Sequence, residues 1–299
     1  MMKVEPEEVE VQQKVEVEQE VEQVEQKVEQ EVEVEVVEFV VPVENSKTLF
    51  VWNLEASQPE HVLLVSLSSL FSSFGPLYLL KISPSSPGFF SALVKFFSSG
   101  HAARAQRETD GKTLMPSRRP LQDRPLKVRL SSKKTPHFLS RSAPLSHAHC
   151  LNLANHILGF NGWSSDIITL KELDPDQDLD PDLDPDSGGV ALRLGCLLQL
   201  HFPFHQVTTR GAAVLQQTLT CSDPVEMLLA RGRLQRAVRE KALVQAFSNV
   251  LLVLLGNGKV MVDLKELHQF DPEEQEHFLQ VTEVSLPPDE DEELDLTVT

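Results

Sequence analysis

The chain has 299 residues, 27 Lys+Arg and 45 Asp+Glu, and its net charge of −18, taken whole, speaks against a nucleic-acid partner. The charge is uneven: residues 1–44 carry −12, residues 172–186 carry −8 and residues 263–299 carry −12, which leaves +14 on the other 203 residues. A basic body with three acidic appendages reopens the question of nucleic acid, and its length suits one or two domains with a buried core.

Residues 1–41 are near-repeats of Val, Glu and Gln. Val17, Val21, Val24 and Val28 have helical spacing and Glu31 to Val36 alternates, but so much like charge predicts a disordered or weakly helical tail. Lys47 to Leu54 reads as a strand, and Pro59 to Phe74 as a helix whose apolar face holds Val62, Leu63, Leu67, Leu70, Phe71 and Phe74. Gly75-Pro76 stops it. Strands are expected at Leu77 to Ile82 and Phe89 to Phe97, a short helix at Gly100 to Glu108, and a last strand at Leu126 to Leu130. The order β-α-β-β-α-β is the ferredoxin-like split unit.

After a Ser/His/Pro linker, Leu151 to Leu158 reads as a short helix broken by Gly159 and Gly162. Ile167 to Leu170 and Val190 to Phe202 read as strands on either side of an Asp/Pro tract. Asp223-Pro224-Val225-Glu226 supplies an N-cap, a proline at the first helical position and an early Glu, so a long helix is expected to about Leu254. Gly256-Asn257-Gly258 turns the chain, and Lys259 to Leu264 is a candidate strand. Cys150, Cys196 and Cys221 form no CxxC pair, which leaves no basis for a disulfide framework or a zinc knuckle. The start is unlike a secretory signal. The longest apolar run, Val250 to Leu255, is far short of the ~20 residues that span a bilayer. An intracellular setting with no membrane partner is expected.

Leu49-Phe50-Val51-Trp52-Asn53-Leu54 resembles the first-strand submotif of the RNA recognition motif, Phe89 to Phe96 stands in the place of the third-strand submotif, and Phe71 to Leu77 resembles that family's helix-to-strand turn. The resemblance implies an open sheet on which Phe50 and Trp52 stack bases while Leu49, Val51 and Leu54 face the core. Lys95, Lys127 and Arg129 would share that face and pair phosphates. The third strand departs from the family pattern: its two face aromatics fall on Ser91 and Leu93, its first basic position falls on Phe89, and a bulge would be needed to bring Phe90 to the face.

Leu151 to Trp163, LNLANHILGFNGW, resembles the signature of the Rad fifty-two recombination-mediator family through Asn152, Leu153, Ala154, Asn155, Gly159, Phe160, Asn161, Gly162 and Trp163. The strands and long helix that follow agree in order with its annealing domain. Gly159 and Gly162 would allow a tight turn, Phe160 and Trp163 would pack as core, and Asn155 and Asn161 would bond turn backbone. Arg233, Arg236 and Arg239 recur every three residues on the long helix, a candidate DNA-contacting stripe opposite Leu234 and Val238. The positions at which the annealing domain places its DNA-binding bases fall on Ser248, Asn249 and Leu252, a departure from the annealing pattern.

The expected fold is α+β. A ferredoxin-like RNA-recognition-motif domain covers 45–132 and a linker 133–149. A Rad fifty-two-like sheet plus long helix covers 150–262, with an acidic loop at 171–189. Acidic disordered termini cover 1–41 and 263–299. The two resemblances together imply a DNA- and RNA-binding accessory protein of recombination or the DNA-damage response. Its expected partners are single-stranded DNA and RNA, with duplex or distorted DNA and a homo-oligomer as further options. Alternatives are an RNA-processing factor and a protein-interaction adaptor. His137, His147, His149 and Cys150 read as linker rather than a metal site, and the Asp/Pro tract lacks the turn Gly and closing Glu of a calcium loop. Gly256 to Lys259 is a hairpin turn rather than a phosphate loop. No nucleophile or acid–base pair has supporting context. No enzyme, cofactor or metal is therefore expected. Lys133-Lys134 suggests a nuclear-import cluster, with nucleus and cytoplasm, nuclear bodies or nucleolus as expected locations.

Overall fold

The computed structural model describes residues 34–55, 59–114, 124–131, 143–173, 190–219, 223–265 and 281–284. The expectations for residues 1–33, the Asp/Pro tract, Lys133-Lys134, His137 and Cys221 fall outside them. No helix among the described residues is long and apolar enough to cross a membrane.

The first element among the described residues is strand β1 (Val34–Glu38). A single 3-10 turn at Asn45–Lys47 leads into β2 (Thr48–Glu55), α1 (Glu60–Ser72), β3 (Leu77–Ser86), β4 (Phe89–Phe96), α2 (Ser99–Thr109) and β5 (Lys127–Leu130). The last six elements form one antiparallel sheet in the order β3-β4-β2-β5 with both helices packed on one face. This is the split arrangement expected for the first unit. Leu63, Leu67 and Phe71 recur every four residues on α1 and are buried against Leu49, Val51 and Leu54 of β2. Strict alternation would turn Asn53 inward and Leu54 outward. A bulge between Val51 and Leu54 prevents this, with Asn53 in the left-handed region at φ 65°, a conformation asparagine tolerates.

The second unit runs α3 (His147–Leu158), β6 (Ser164–Glu172), β7 (Val190–Phe202), β8 (Val207–Leu219), α4 (Pro224–Ser248), β9 (Val250–Leu255), β10 (Val260–Leu264) and β11 (Val281–Glu283). Its main sheet has the order β11-β8-β7-β6, with β11 parallel to β8 and the other pairs antiparallel. Alternate β7 residues Leu192, Leu194, Cys196, Leu198, Leu200 and Phe202 are buried, as are Ala230, Leu234, Val238, Ala242 and Ala246 of α4. Only glycine fits at position 211 of β8, because a Cβ there would overlap the Ala242 carbonyl and the Ala246 nitrogen. The α4 start is built as its sequence suggests. Asp223 accepts a hydrogen bond from the Val225 N–H at 3.1 Å, and Pro224 follows it.

Two expectations about the acidic ends are corrected. Residues 34–41 are not part of a disordered tail: β1 pairs antiparallel with β9 in a sheet ordered β1-β9-β10. Phe39 is 1% exposed and stacks on Phe247 of α4 with ring centroids 4.6 Å apart. The second unit does not end at residue 262 either, since β10 runs to Leu264 and β11 adds a strand from within the expected tail. Val41 N–H donates to the Ala143 carbonyl at 2.9 Å, which brings the chain entering the first unit beside the chain leaving it. The first unit is thus inserted between the first strand and first helix of the second.

The units share a packed joint. Phe97, which follows β4, is buried in the core cluster of the second unit beside Val37 and Leu145. His149 of α3 lies on Tyr78, ring centroids 4.9 Å apart, and its Nε2 donates to the Tyr78 carbonyl at 3.1 Å while Nδ1 faces the Ser146 hydroxyl. Glu35 of β1 caps α2: one carboxylate oxygen accepts from the Ser99 N–H (2.5 Å) and hydroxyl (2.8 Å), the other from the Ser98 hydroxyl and the Gly100 N–H. Burial pushes the Glu35 carboxyl up, but these hydrogen bonds outweigh it and hold the group below its ordinary value.

Burial pushes the Cys150 thiol up to about 12. Cys150 should therefore resist iodoacetamide at mildly alkaline pH in the folded protein and react on unfolding, which peptide mass mapping would read out. The sign of the linked pH effect is fixed. The unfolded thiol ionises near its ordinary value of ~8.5 while the folded one keeps its proton. This contribution to stability is therefore lost progressively as pH rises above the unfolded value.

Candidate nucleic-acid interface

The open face of the first sheet carries the arrangement that its resemblance implied, with one exception. Phe50 and Trp52 are two residues apart on β2 and project to the same side, their rings stacked at 5.8 Å and 24°. Trp52 is 37% exposed and Phe50 half-buried. Across the sheet Phe50 stands beside Arg129 and Trp52 beside Lys127, both on β5 and both exposed. Asp110 bonds Arg129 at 2.6 Å. The Val128 N–H first, then Arg129, hold the Asp110 carboxyl below its usual value. Both partners face water, where such a pair is weak, so a phosphate could replace Asp110 on Arg129.

Lys95 is the exception. It points to the same face, but its Nζ donates to the Pro42 carbonyl at 3.0 Å and lies 5.9 Å from the Tyr78 ring. Burial pushes its ammonium below the ordinary lysine value, with the Glu44 charge opposing. It is half-buried by the segment linking β1 to β2, and it pins that segment rather than waiting for a phosphate. The β4 positions are as aligned: Leu93 stands beside Phe50, and Ser91 lies on the same side. Phe90 is paired with Leu54 and packs against the core, so no bulge brings it to the face. Phe89 lies at the end of this face under the Arg124 guanidinium, 5.1 Å from the ring centroid. Sequence reasoning missed Arg124; the Arg124-Pro125 step before β5 gave no periodic signal.

In the second unit the family signature is structural. Gly159 ends α3 with φ 77°, and a Cβ on Gly162 would strike the Leu158 carbonyl, which explains both glycines. Trp163 packs edge-on against Phe247 at 5.2 Å. Its Nε1–H donates to the Asn155 side chain at 3.0 Å, so Asn155 fixes the tryptophan rather than the turn backbone. Asn152 and Asn161 are exposed. Phe160, expected in the core, is 87% exposed, because the Gly159 turn swings it outward and Trp163 takes the core position.

The α4 arginines do not form one free stripe. Arg239 and Arg236 are exposed, but Arg233 is half-buried with a buried Nε. Arg236 bonds Glu240 at 3.0 Å, Arg239 donates to the Gln235 carbonyl of its own helix, and Arg231 pairs with Glu172 of β6 at 2.9 Å. Lys241 reaches Thr282 of β11. Arg231 and Lys241 thus tie the helix to opposite edges of its sheet, and much of its charge is answered within the unit. His147 lies 4.0 Å from Glu240 of α4 within the second unit, and His149 sits at the unit joint against Tyr78.

A family model described as the RDM1 DSRM domain matches residues 145–251, from the residues before α3 to the start of β9. It places the α-β-β-β-α order of the second unit with a DSRM-type domain, where the sequence resembled the annealing domain. Proteins named RAD52 motif-containing protein 1 are similar over most of the chain. That of Danio rerio is 43% identical over 256 residues, 83% of this chain and 89% of its own. The Gallus gallus protein is 37% identical over 275 residues, 88% and 94% of the two chains. The Homo sapiens protein is 34% identical over 241 residues, 77% and 80%. Among solved structures, the RRM3 domain of Mip6 is similar at a TM-score of 0.24 and 18% identity, covering 30% of this chain and all of that one. The MEC-8 C-terminal RRM domain bound to AGCACA is similar at 0.23 and 22%, covering 30% and 94%. The identities of 31–43% over most of both partners come from proteins of a single name, and the chain belongs to the RAD52 motif-containing protein 1 family.

Proposed function

We propose that the protein binds single-stranded DNA and RNA through the open face of its first sheet, as a non-enzymatic accessory factor in recombination or the DNA-damage response. The observation that carries this reading is the stacked Phe50–Trp52 pair flanked by Lys127 and Arg129. Stacking on aromatic side chains is tolerant of base identity, and the cations track the backbone. The family membership supports the nucleic-acid reading, and the resemblance of Leu151 to Trp163 to the Rad fifty-two signature supports the recombination role. The exposed apolar side chains Val225, Leu228 and Leu229 on the first turns of α4 favour a second reading, a protein-interaction adaptor.

Fluorescence anisotropy of the full chain with labelled single-stranded DNA, RNA and duplex DNA over a salt series tests this. Single strands should bind more tightly than duplex. Log affinity should fall linearly with log salt, with a slope of about −0.7 per phosphate neutralised. No binding to any of the three at low salt would overturn the proposal and leave the adaptor.

A further inference from the structure

A cleft of about 480 Å³ separates the helix side of the first unit from the second, away from Phe50 and Trp52. One wall is α2, where Arg104 and Arg107, one turn apart, line it together with His101. The opposite wall is the β9–β10 hairpin with Lys259, and His156 of α3 lies between. Among the described residues the one carboxylate on the lining is Glu35, and its two oxygens are occupied by Ser98, Ser99 and Gly100 as the α2 cap. The Arg104 guanidinium donates to the Phe74 carbonyl at 2.6 Å, a contact that fixes its direction, and it has no ion pair among the described residues. Arg107 and Lys259 are exposed and have no ion pair among the described residues. Burial, and for His101 also the Arg104 charge, push both imidazoles below their ordinary value. At neutral pH the positive charge of the cleft therefore comes from three fixed cations, set on both walls, against the single Glu35 carboxylate among the described residues.

We infer that this cleft is a second phosphate-binding site, one that takes the backbone of a single nucleic-acid strand passing between the units. Two cations a helical turn apart on one wall and a third across from them suit a chain of phosphates better than one isolated anion. The α1–α2 layer separates the cleft from the open sheet face, so one strand segment cannot fill both, and the two sites act as linked modules. The inference rests on the nucleic-acid reading above, and its test is chosen to fail separately.

The test uses the full chain and a labelled oligodeoxythymidine. Arg107→Ala with Lys259→Ala, both surface changes, should leave thermal melting unaltered and reduce the salt slope by about 1.4, two phosphates' worth. Phe50→Ala with Trp52→Ala should leave residual binding that the cleft changes then abolish. Inorganic phosphate, added at constant ionic strength to this doubly changed sheet variant, should not displace the strand better than chloride does. Displacement at low concentration would overturn the backbone assignment in favour of a free phosphate. A slope unchanged by the cleft variants, with all binding lost on changing Phe50 and Trp52, would overturn the cleft and leave the sheet site standing. A wild-type chain that binds no oligonucleotide would overturn both.

Discussion

Trp52→Ala in the full chain should weaken binding of single-stranded DNA or RNA by roughly 5- to 150-fold, the equivalent of about 1–3 kcal/mol for one stacked base. Trp52 is the more exposed ring of the pair, and it belongs to neither core cluster among the described residues. Phe50→Ala should cost a second, partly overlapping amount, since the two rings stack on each other and removal of either loosens the other. Lys127→Ala should behave differently, lowering affinity mainly at low salt and reducing the salt slope by about 0.7. Anisotropy titrations at two salt concentrations separate these effects. Binding that ignores Trp52→Ala but collapses on Arg236→Glu with Arg239→Glu would move the site to α4 of the second unit.

Local patterns were legible where a residue's neighbours are close in sequence. The four-residue spacing of Leu63, Leu67 and Phe71 predicts α1, and alternation in Leu49 to Trp52 predicts both the strand and its outward aromatics. What covers a face was not legible. Alternation puts Lys95 on the open side, but nothing near it in sequence says that Pro42 and Tyr78 close over it. A three-residue period groups Arg233, Arg236 and Arg239, but only the fold shows that acids and carbonyls already answer Arg236 and Arg239. The Phe160 error has the same origin. A signature shared with a known domain names the turn, while the side a ring takes is decided by φ at Gly159 and by the claim of Trp163 on the Phe247 surface. The strand at Val34–Glu38 was hidden for a further reason. It continues a Val/Glu repeat that reads as solvated, and its partner β9 lies more than 200 residues away.

That hidden strand makes the strongest stability prediction. Deleting residues 1–44, which sequence boundaries alone would suggest for a compact fragment, should destabilise the second unit, whereas deleting residues 1–33 should not. The longer deletion removes an edge of the β1-β9-β10 sheet, the Glu35 cap on α2, and Phe39. Loss of β1 would expose the buried edge of β9, a row of backbone groups that then needs water or another chain. Phe39 is fully buried against Phe247, and Phe39→Ala alone in the intact chain should cost about 3–5 kcal/mol through lost burial and the cavity left behind. That is a large share of a typical domain's stability. Urea unfolding followed by the fluorescence of Trp163, which packs on the same Phe247 ring, reads the effect at its source, with Trp52→Phe included to silence the other tryptophan. Equal midpoints for Phe39→Ala and its parent would show that β1 is an ornament of the second unit. A midpoint lowered as expected makes the first unit a true insertion, because the chain must then complete the second unit's fold from both sides of the first.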